Sequence, residues 1–347
     1  MPETLETPAV AAAAPDHTAF AIGFDQRDRA RYHALVDRIF DSNRWSEGAL
    51  RDELEQAWST WNAQAAVATA NWTGGALAAL EFAGVRGETV LCPSNTFMAT
   101  PLAVLEAGGR VEFVDCNRED LCMSFADFEA KAQQHRPKAV FLVHIGGHIA
   151  FDVERIAAYC REHGIFLLED CAHAHGAAWD DRRPGTWGDA GVYSLYATKT
   201  ISAGEGGILT SRHPELLEYA RKFRNYGKPD YDIRGLNFRM SEFAAALGLV
   251  QIERLEEIVA WKNRVARSLL DPAHERTRLE LPEGMVSGLY KYVVFESLER
   301  STGRVYDEPC HRIMGDDAEL PNTDWVAGNH SCAPIYYHGP ELPEGVA

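Results

Sequence analysis

A chain of 347 residues with 46% hydrophobic and 10% aromatic content can bury a sizeable core, which excludes a small binding module and points to one large and one smaller domain. Its 51 acidic residues against 34 basic ones give a net charge of −17, which argues against a general attraction to nucleic-acid phosphates. Seven cysteines without C-x-x-C spacing argue against a disulfide framework or a zinc site, and no apolar run reaches the roughly 18 to 20 residues of a membrane span, so a cytoplasmic chain is expected.

Residues 1–16, rich in Ala, Pro, Glu and Thr, read as a disordered tail, with a large domain expected over 17–255 and a smaller one over 256–347. From about residue 60, short apolar runs alternate with helical patterns. "NWTGGALAAL" (71–80) places Gly74 and Gly75 at the start of a helix, and "TVLCPS" (89–94) reads as a strand. "PLAVLEAGG" (101–109) follows as a helix closed by glycine, then "VEFVDC" (111–116) as a strand. "FADFEAKAQQH" (125–135) is a helix, "AVFLVH" (139–144) a strand, "FDVERIAAYCREHG" (151–164) a helix and "IFLLED" (165–170) a strand. After the strand "AGVYSLY" and a glycine-rich turn, one long helical pattern starts near Ser241, and strand-like pieces such as "YKYVVFES" close the chain. The alternation marks βαβ units. Because the strands are apolar on both faces, the expected fold class is α/β: a mainly parallel central sheet flanked by helices, with a smaller α+β C-terminal domain.

In an open α/β sheet, ligands gather beyond the carboxyl ends of the strands. Those ends carry Phe97, His144, Asp170, His173 and Ser194 to Lys199. An acid closing one buried strand and a lysine 29 residues later, closing another, suit pyridoxal phosphate. Its aldehyde needs an amine, which Lys199 supplies, and its ring nitrogen needs a carboxylate, which Asp170 supplies. Gly74 and Gly75 at a helix start would offer N–H groups to the phosphate, and Ser194 a hydroxyl. Phe97 would lie on the ring face and His173 would hydrogen-bond the phenolic oxygen. Each feature has an ordinary reading too: a lysine after a strand is usually solvated, "TGG" is as often a plain turn, and loop histidines are commonly satisfied polar residues. A metal is disfavoured because H-x-x-x-H at 144 and 148 follows a strand rather than lying on a helix.

The combination resembles the sugar aminotransferases of the DegT/DnrJ/EryC1/StrS family. The segments that carry the resemblance are "VLCPSNTFMATPLAVLEAGGRVEFVDC", "KAVFLVHIGGHIAFDVERIAAYCREHGIFLLEDCAHAHGA", "GTWGDAGVYSLYATKTISAGEGGILT" and "RNYGKPDYDIRGLNFRMSEFAAALGLVQIERLE", which cover most of residues 40–260. The resemblance implies the pyridoxal phosphate transferase fold type I, with Lys199 as the Schiff-base lysine and Asp170 on the pyridinium nitrogen. It implies His173 near the phenolic oxygen, Ser194 with Gly74 and Gly75 at the phosphate, and Phe97 on the ring. Asn237 matches an asparagine that reaches the phosphate from the neighbouring subunit, which implies a homodimer with shared active sites. Gly75 stands where the family usually has threonine, so that contact is expected to be lost or supplied by Thr73. The usual closing strand and helix are also expected to be missing.

The resemblance further implies transamination rather than sugar dehydration, because dehydrating relatives replace the lysine by histidine. Glutamate would be the amino donor, and a nucleotide-linked 4-keto-6-deoxyhexose the acceptor. The alternatives are a keto-ring (aminocyclitol) aminotransferase and a cofactor-binding protein without turnover.

Overall fold

The computed structural model describes residues 23–338, so the expected tail over 1–16 lies outside the described residues. Two helices lead, α1 (Gln26–Ser42) and α2 (Ala49–Asn62), the first started by a capping box in which Asp25 accepts from the Asp28 N–H and Asp28 accepts from that of Asp25. Then come β1 (Ala65–Thr69), α3 (Trp72–Ala83), β2 (Thr89–Pro93), α4 (Ala99–Glu106), β3 (Arg110–Val114), α5 (Phe125–His135), β4 (Ala139–Val143), α6 (Val153–His163) and β5 (Phe166–Asp170). The chain continues through β6 (Ala178–Trp179), β7 (Ala190–Ser194), β8 (Gly207–Ser211), α7 (Pro214–Phe223) and α8 (Glu242–Val265). Beyond α8 lie a π-helical turn (Ala266–Leu270), β9 (Met285–Val286), β10 (Tyr292–Val294) and β11 (Ser331–Ala333).

Seven strands form one sheet in the order β1-β8-β7-β5-β4-β2-β3. All neighbours pair in parallel except β8, which runs against both β1 and β7. This is the mainly parallel sheet that the apolar runs require, with β4, β7 and β8 buried along their whole length. On one face Val90, Phe141, Val192 and Leu209 pack against Leu80 of α3, Val104 of α4 and Leu216 of α7. On the other, Leu91, Val140 and Leu142 meet Phe128 of α5 and Ile156 of α6, while Ala66, Tyr193 and Ile208 meet Trp58 of α2 and Leu255 of α8.

Residue 255 lies inside α8, and the chain beyond it enters the same cores: Val293, Val326 and Cys332 on one face, Cys310 and Leu320 on the other. Two short antiparallel ladders, β10 with β11 and β6 with β9, stand beside the main sheet. No helix among the described residues is long and apolar enough to cross a membrane.

Candidate active site

Asp170 ends β5 between Val143 of β4 and Val192 of β7, so its carboxylate emerges at the middle of the sheet's carboxyl edge. It is only 5% exposed. Its Oδ1 accepts from Trp72 Nε1 and from the Ala172 N–H, both at 3.0 Å, and Oδ2 accepts from Thr100 Oγ1 at 3.3 Å. Burial pushes the Asp170 pKa up, while the Ala172 N–H and the Lys199 charge pull the other way.

Lys199 sits in the turn that follows β7, where the Lys199 N–H donates to Tyr196 O at 3.0 Å. Burial lowers its pKa to about 8; Asp170 opposes that change and the Lys291 charge adds to it. An amine with such a value is partly neutral near pH 7 and able to act as nucleophile or base. Its Nζ stands 4.9 Å from the centroid of the Tyr290 ring.

Asp170 and Lys199 share a cavity of 790 Å³ with His173, Ser194 and Phe97. His173 is buried, its Nδ1 has no hydrogen-bond partner, and its ring lies against Tyr290 at 4.2 Å and parallel to Tyr306 at 5.7 Å. Burial and the Lys199 charge push its pKa well down, so it is a neutral imidazole whose Nδ1 is buried and free. Phe97 is 66% exposed at the rim. Ser194 Oγ accepts the Tyr196 N–H at 3.3 Å. An amine, a carboxylate, an unpartnered imidazole nitrogen, a hydroxyl and an aromatic face around one space suit a planar pyridine that carries an aldehyde and an anionic arm.

Gly74 and Gly75 stand back from this cavity, and the residues just before them, Asn71, Trp72 and Thr73, line it. The Gly74 N–H is taken by Asn71 Oδ1 at 3.0 Å, the helix cap. A Cβ on Gly74 would lie 2.7 Å from the Phe238 ring, and one on Gly75 would lie 3.1 Å from Val192 Cγ1. Both glycines therefore let α3 pack closely. Asn237 is exposed and apart from the cavity, bridged to Asn225, with its Oδ1 accepting the Arg239 N–H at 3.3 Å.

Trp72, Thr100, Tyr290 and Tyr306 also line the cavity and escaped the sequence reading. Trp72 lay within the glycine stretch and Thr100 within the segment after β2, so proximity to the strand ends was a usable signal for both. Tyr290 and Tyr306 come from beyond α8, where no spacing ties them to the sheet edge.

Beneath Asp170, Glu169 is fully buried and accepts the N–H groups of Gly185, Trp187 and Gly188 at 2.8, 2.8 and 2.6 Å, as well as His144 Nε2 at 2.9 Å. His144 Nδ1 accepts the Ala150 N–H at 3.1 Å. Cys171 lies close enough to join this pair as a candidate metal-ligating group, but the His and Glu atoms already have partners within the protein.

The model of the DegT/DnrJ/EryC1/StrS aminotransferase family matches residues 26–305. The chain belongs to that family. It is similar to the dTDP-3-amino-3,4,6-trideoxy-alpha-D-glucose transaminase of Micromonospora megalomicea subsp. nigra, 32% identical over 349 residues, which span 92% of each chain. It is also similar to the GDP-perosamine synthase of Vibrio cholerae, 33% identical over 186 residues, a match that spans 52% of this chain and 50% of that one. Among solved structures, a DegT/DnrJ/EryC1/StrS aminotransferase from Brucella abortus superposes with a TM-score of 0.83 at 26% identity, over 91% of this chain and 92% of the other. The family membership and this likeness agree with the expected fold class, a type I aminotransferase fold with a mostly parallel central sheet.

Proposed function

We propose that this aminotransferase uses pyridoxal phosphate to move the amino group of glutamate to the keto group of a nucleotide-linked deoxysugar, a 4-keto-6-deoxyhexose in the favoured case. The observation that carries the reading is the shared cavity of Lys199, Asp170 and His173, whose Nδ1 is unpartnered. The relatives' names, which refer to dTDP- and GDP-linked sugars, support the acceptor class.

When bound, the cofactor would supply an electron sink conjugated to the substrate carbon. Lys199 would hold it covalently and, once released, move a proton at Nζ, a task that its lowered pKa suits. Asp170, with three donors on its two oxygens, would present its carboxylate to the ring nitrogen. His173 Nδ1 is the free donor or acceptor for a ring oxygen, and Phe97 the face on which the ring rests. Ser194 with the first turn of α3 would take the anionic arm, where Thr73 stands closer to the cavity than Gly74 or Gly75. Tyr290 and Tyr306 wall the space. The exposure of Asn237 suits a residue that serves the cavity of a second copy in a homodimer.

The test is the visible spectrum of the purified protein supplied with pyridoxal phosphate. A band that is discharged by glutamate and missing in Lys199→Ala supports the first half-reaction, and turnover of a nucleotide-linked keto-sugar the second. A colourless wild type refutes the cofactor assignment. Turnover of a keto-inositol alone would reassign the acceptor.

A further inference from the structure

A second cavity, of 540 Å³, lies between α8, the π-helical turn after it and the chain around β9 and β10. It shares a wall with the first. Tyr290 lines the first cavity, whereas its chain neighbours Leu289 and Lys291 line the second. That wall is pinned to the loop after β4: the Gly288 N–H donates to Gly147 O and the Lys291 N–H to Gly146 O, both at 2.8 Å. A Cβ on Gly147, whose φ is +116°, would lie 2.6 Å from the Tyr290 nitrogen, so only glycine lets the two backbones touch here. The buried ammonium of Lys262 donates to Leu289 O at 3.1 Å.

The lining of this cavity combines apolar walls with charges of both signs, Asp181, Glu256 and Asp271 among them, and two of its cations have no ion pair. Val259, Leu279, Leu281 and Met285 supply the apolar part. Arg183 is paired with Glu256 at 2.7 Å, and Arg278 lies 3.8 Å from both Asp271 and Glu280, while its Nε is buried without a partner. Lys291 and Arg267 have no ion pair or side-chain hydrogen bond among the described residues. The Lys291 ammonium instead stands 5.6 Å from the centroid of the Tyr290 ring, the ring that Lys199 approaches to 4.9 Å. Lys291 is half-buried and Arg267 is exposed, so both can offer their charge to an anion that enters the cavity. The volume lies within the range of small-molecule sites, and Arg267 reaches the rim on a π-turn, a rare distortion that concentrates at functional sites.

We propose that this second cavity binds a small organic anion, an apolar body carrying a carboxylate, sulfonate or phosphate, which meets Lys291 and is sensed by Lys199 across the Tyr290 ring. The inference goes beyond the transamination reading and does not depend on which sugar is the acceptor. Its electrostatic basis is direct: the Lys291 charge is among the causes that hold the Lys199 pKa down, so an anion on Lys291 lets Lys199 keep its proton to higher pH. The other titratable groups around Lys199 are Asp170, His173, His175, Glu205, Tyr196, Tyr290 and Tyr306, and the charged or titratable groups around Lys291 are His148, Lys262, Asp181, Glu256, Asp271, Arg183, Arg267, Arg278, Tyr290, Tyr292 and Cys332. None of them differs between wild type and the variants below.

The experiment titrates cofactor-loaded protein, whose first cavity is filled, with naphthalene-1-sulfonate in a calorimeter. One site per chain is expected, weakened about tenfold or more in Lys291→Met by loss of a charge-assisted contact and retained in Lys291→Arg. Ala260→Trp, at the exposed rim, should block binding while leaving every charge in place. On saturation, the pH midpoint of the cofactor's visible band should rise in wild type and stay fixed in Lys291→Met. No binding to the loaded protein, or equal binding in wild type, Lys291→Met and Ala260→Trp, overturns the proposed site. A midpoint that ignores the bound sulfonate overturns the coupling. A wild type that takes up no cofactor defeats the transamination reading instead, and the calorimetric ranking of the variants still decides the site.

Discussion

Trp72 Nε1 donates to Asp170 Oδ1 at 3.0 Å, tying the first turn of α3 to the last residue of β5 at the floor of the cavity. The indole also stacks on Phe141, with centroids 6.0 Å apart. Trp72→Phe keeps an aromatic ring but removes the donor, so unfolding by denaturant should show a loss of about 1–2 kcal/mol. Asp170→Asn should leave the fold intact and remove turnover, which a steady-state assay with glutamate as donor would show.

Replacing the lysine separates stability from function. Lys199→Met removes an amine that burial disfavours in its charged form, so the apoprotein at pH 7 should melt no lower than wild type. Turnover should nevertheless fall about 10² to 10⁴-fold, the usual share of a positioned acid–base group. Melting curves and assays on the same preparation check both.

The pH dependence has a definite sign. The folded pKa of Lys199, about 8, lies below its ordinary 10.5, so between those values the unfolded chain binds more protons than the folded one. The stability of the apoprotein relative to Lys199→Met should therefore rise with pH across that window and be flat below about 8. Lys262, also lowered to about 8 by burial, contributes the same trend, so it must be kept in both proteins. Denaturant midpoints measured every half pH unit would show the slope.

Gly74 is there for space. A methyl group at that position would press on the Phe238 ring from 2.7 Å, and overpacking of this kind costs about 1–3 kcal/mol. Gly74→Ala should lose that much stability, and Phe238→Leu in the same chain should restore part of it. If Gly74→Ala is neutral in unfolding experiments but weakens cofactor binding, the residue serves the anionic arm instead.

Glu169 accepts four hydrogen bonds in a fully buried position, three of them from the loop over 185–188. Glu169→Gln turns one acceptor into a donor facing N–H groups, and should cost at least about 2 kcal/mol. Hydrogen exchange should show the largest loss of protection at Gly185 and Gly188.

Much of the sheet was legible because its strands are short apolar runs bounded by turns. Helix 125–135 appears with those limits, and the runs over 89–94, 139–144 and 165–170 match β2, β4 and β5 to within a residue at either end. The reversed strand β8 and the leading helices α1 and α2 were not read: "GILTS" is too short to show direction, and α1 is stabilised largely by packing its few apolar residues, such as Leu35 and Ile39, on α8. At the site, Phe97, Asp170, His173, Ser194 and Lys199 were found because strand ends in a parallel sheet converge on one edge. Gly74 and Gly75 stand behind Asn71, Trp72 and Thr73 rather than in the lining, a difference the sequence does not show, since a pair that opens a helix looks the same whether it faces a ligand or a neighbouring ring. Tyr290 and Tyr306 were invisible for a different reason: which part of a distal segment folds back over a sheet is set by tertiary packing and not by local pattern.

That last arrangement gives the protein an order of events during its synthesis. Asp170 at the end of β5 and Lys199 in the turn after β7 leave the ribosome well before residues 290 and 306, so a nascent chain can assemble the sheet before the cavity is walled. Only when the late-made tyrosines fold back does Lys199 gain the Tyr290 ring 4.9 Å from its Nζ. Closing of the cavity around the amine is thereby tied to synthesis past residue 306, and a chain terminated before Tyr290 would carry the lysine without that wall.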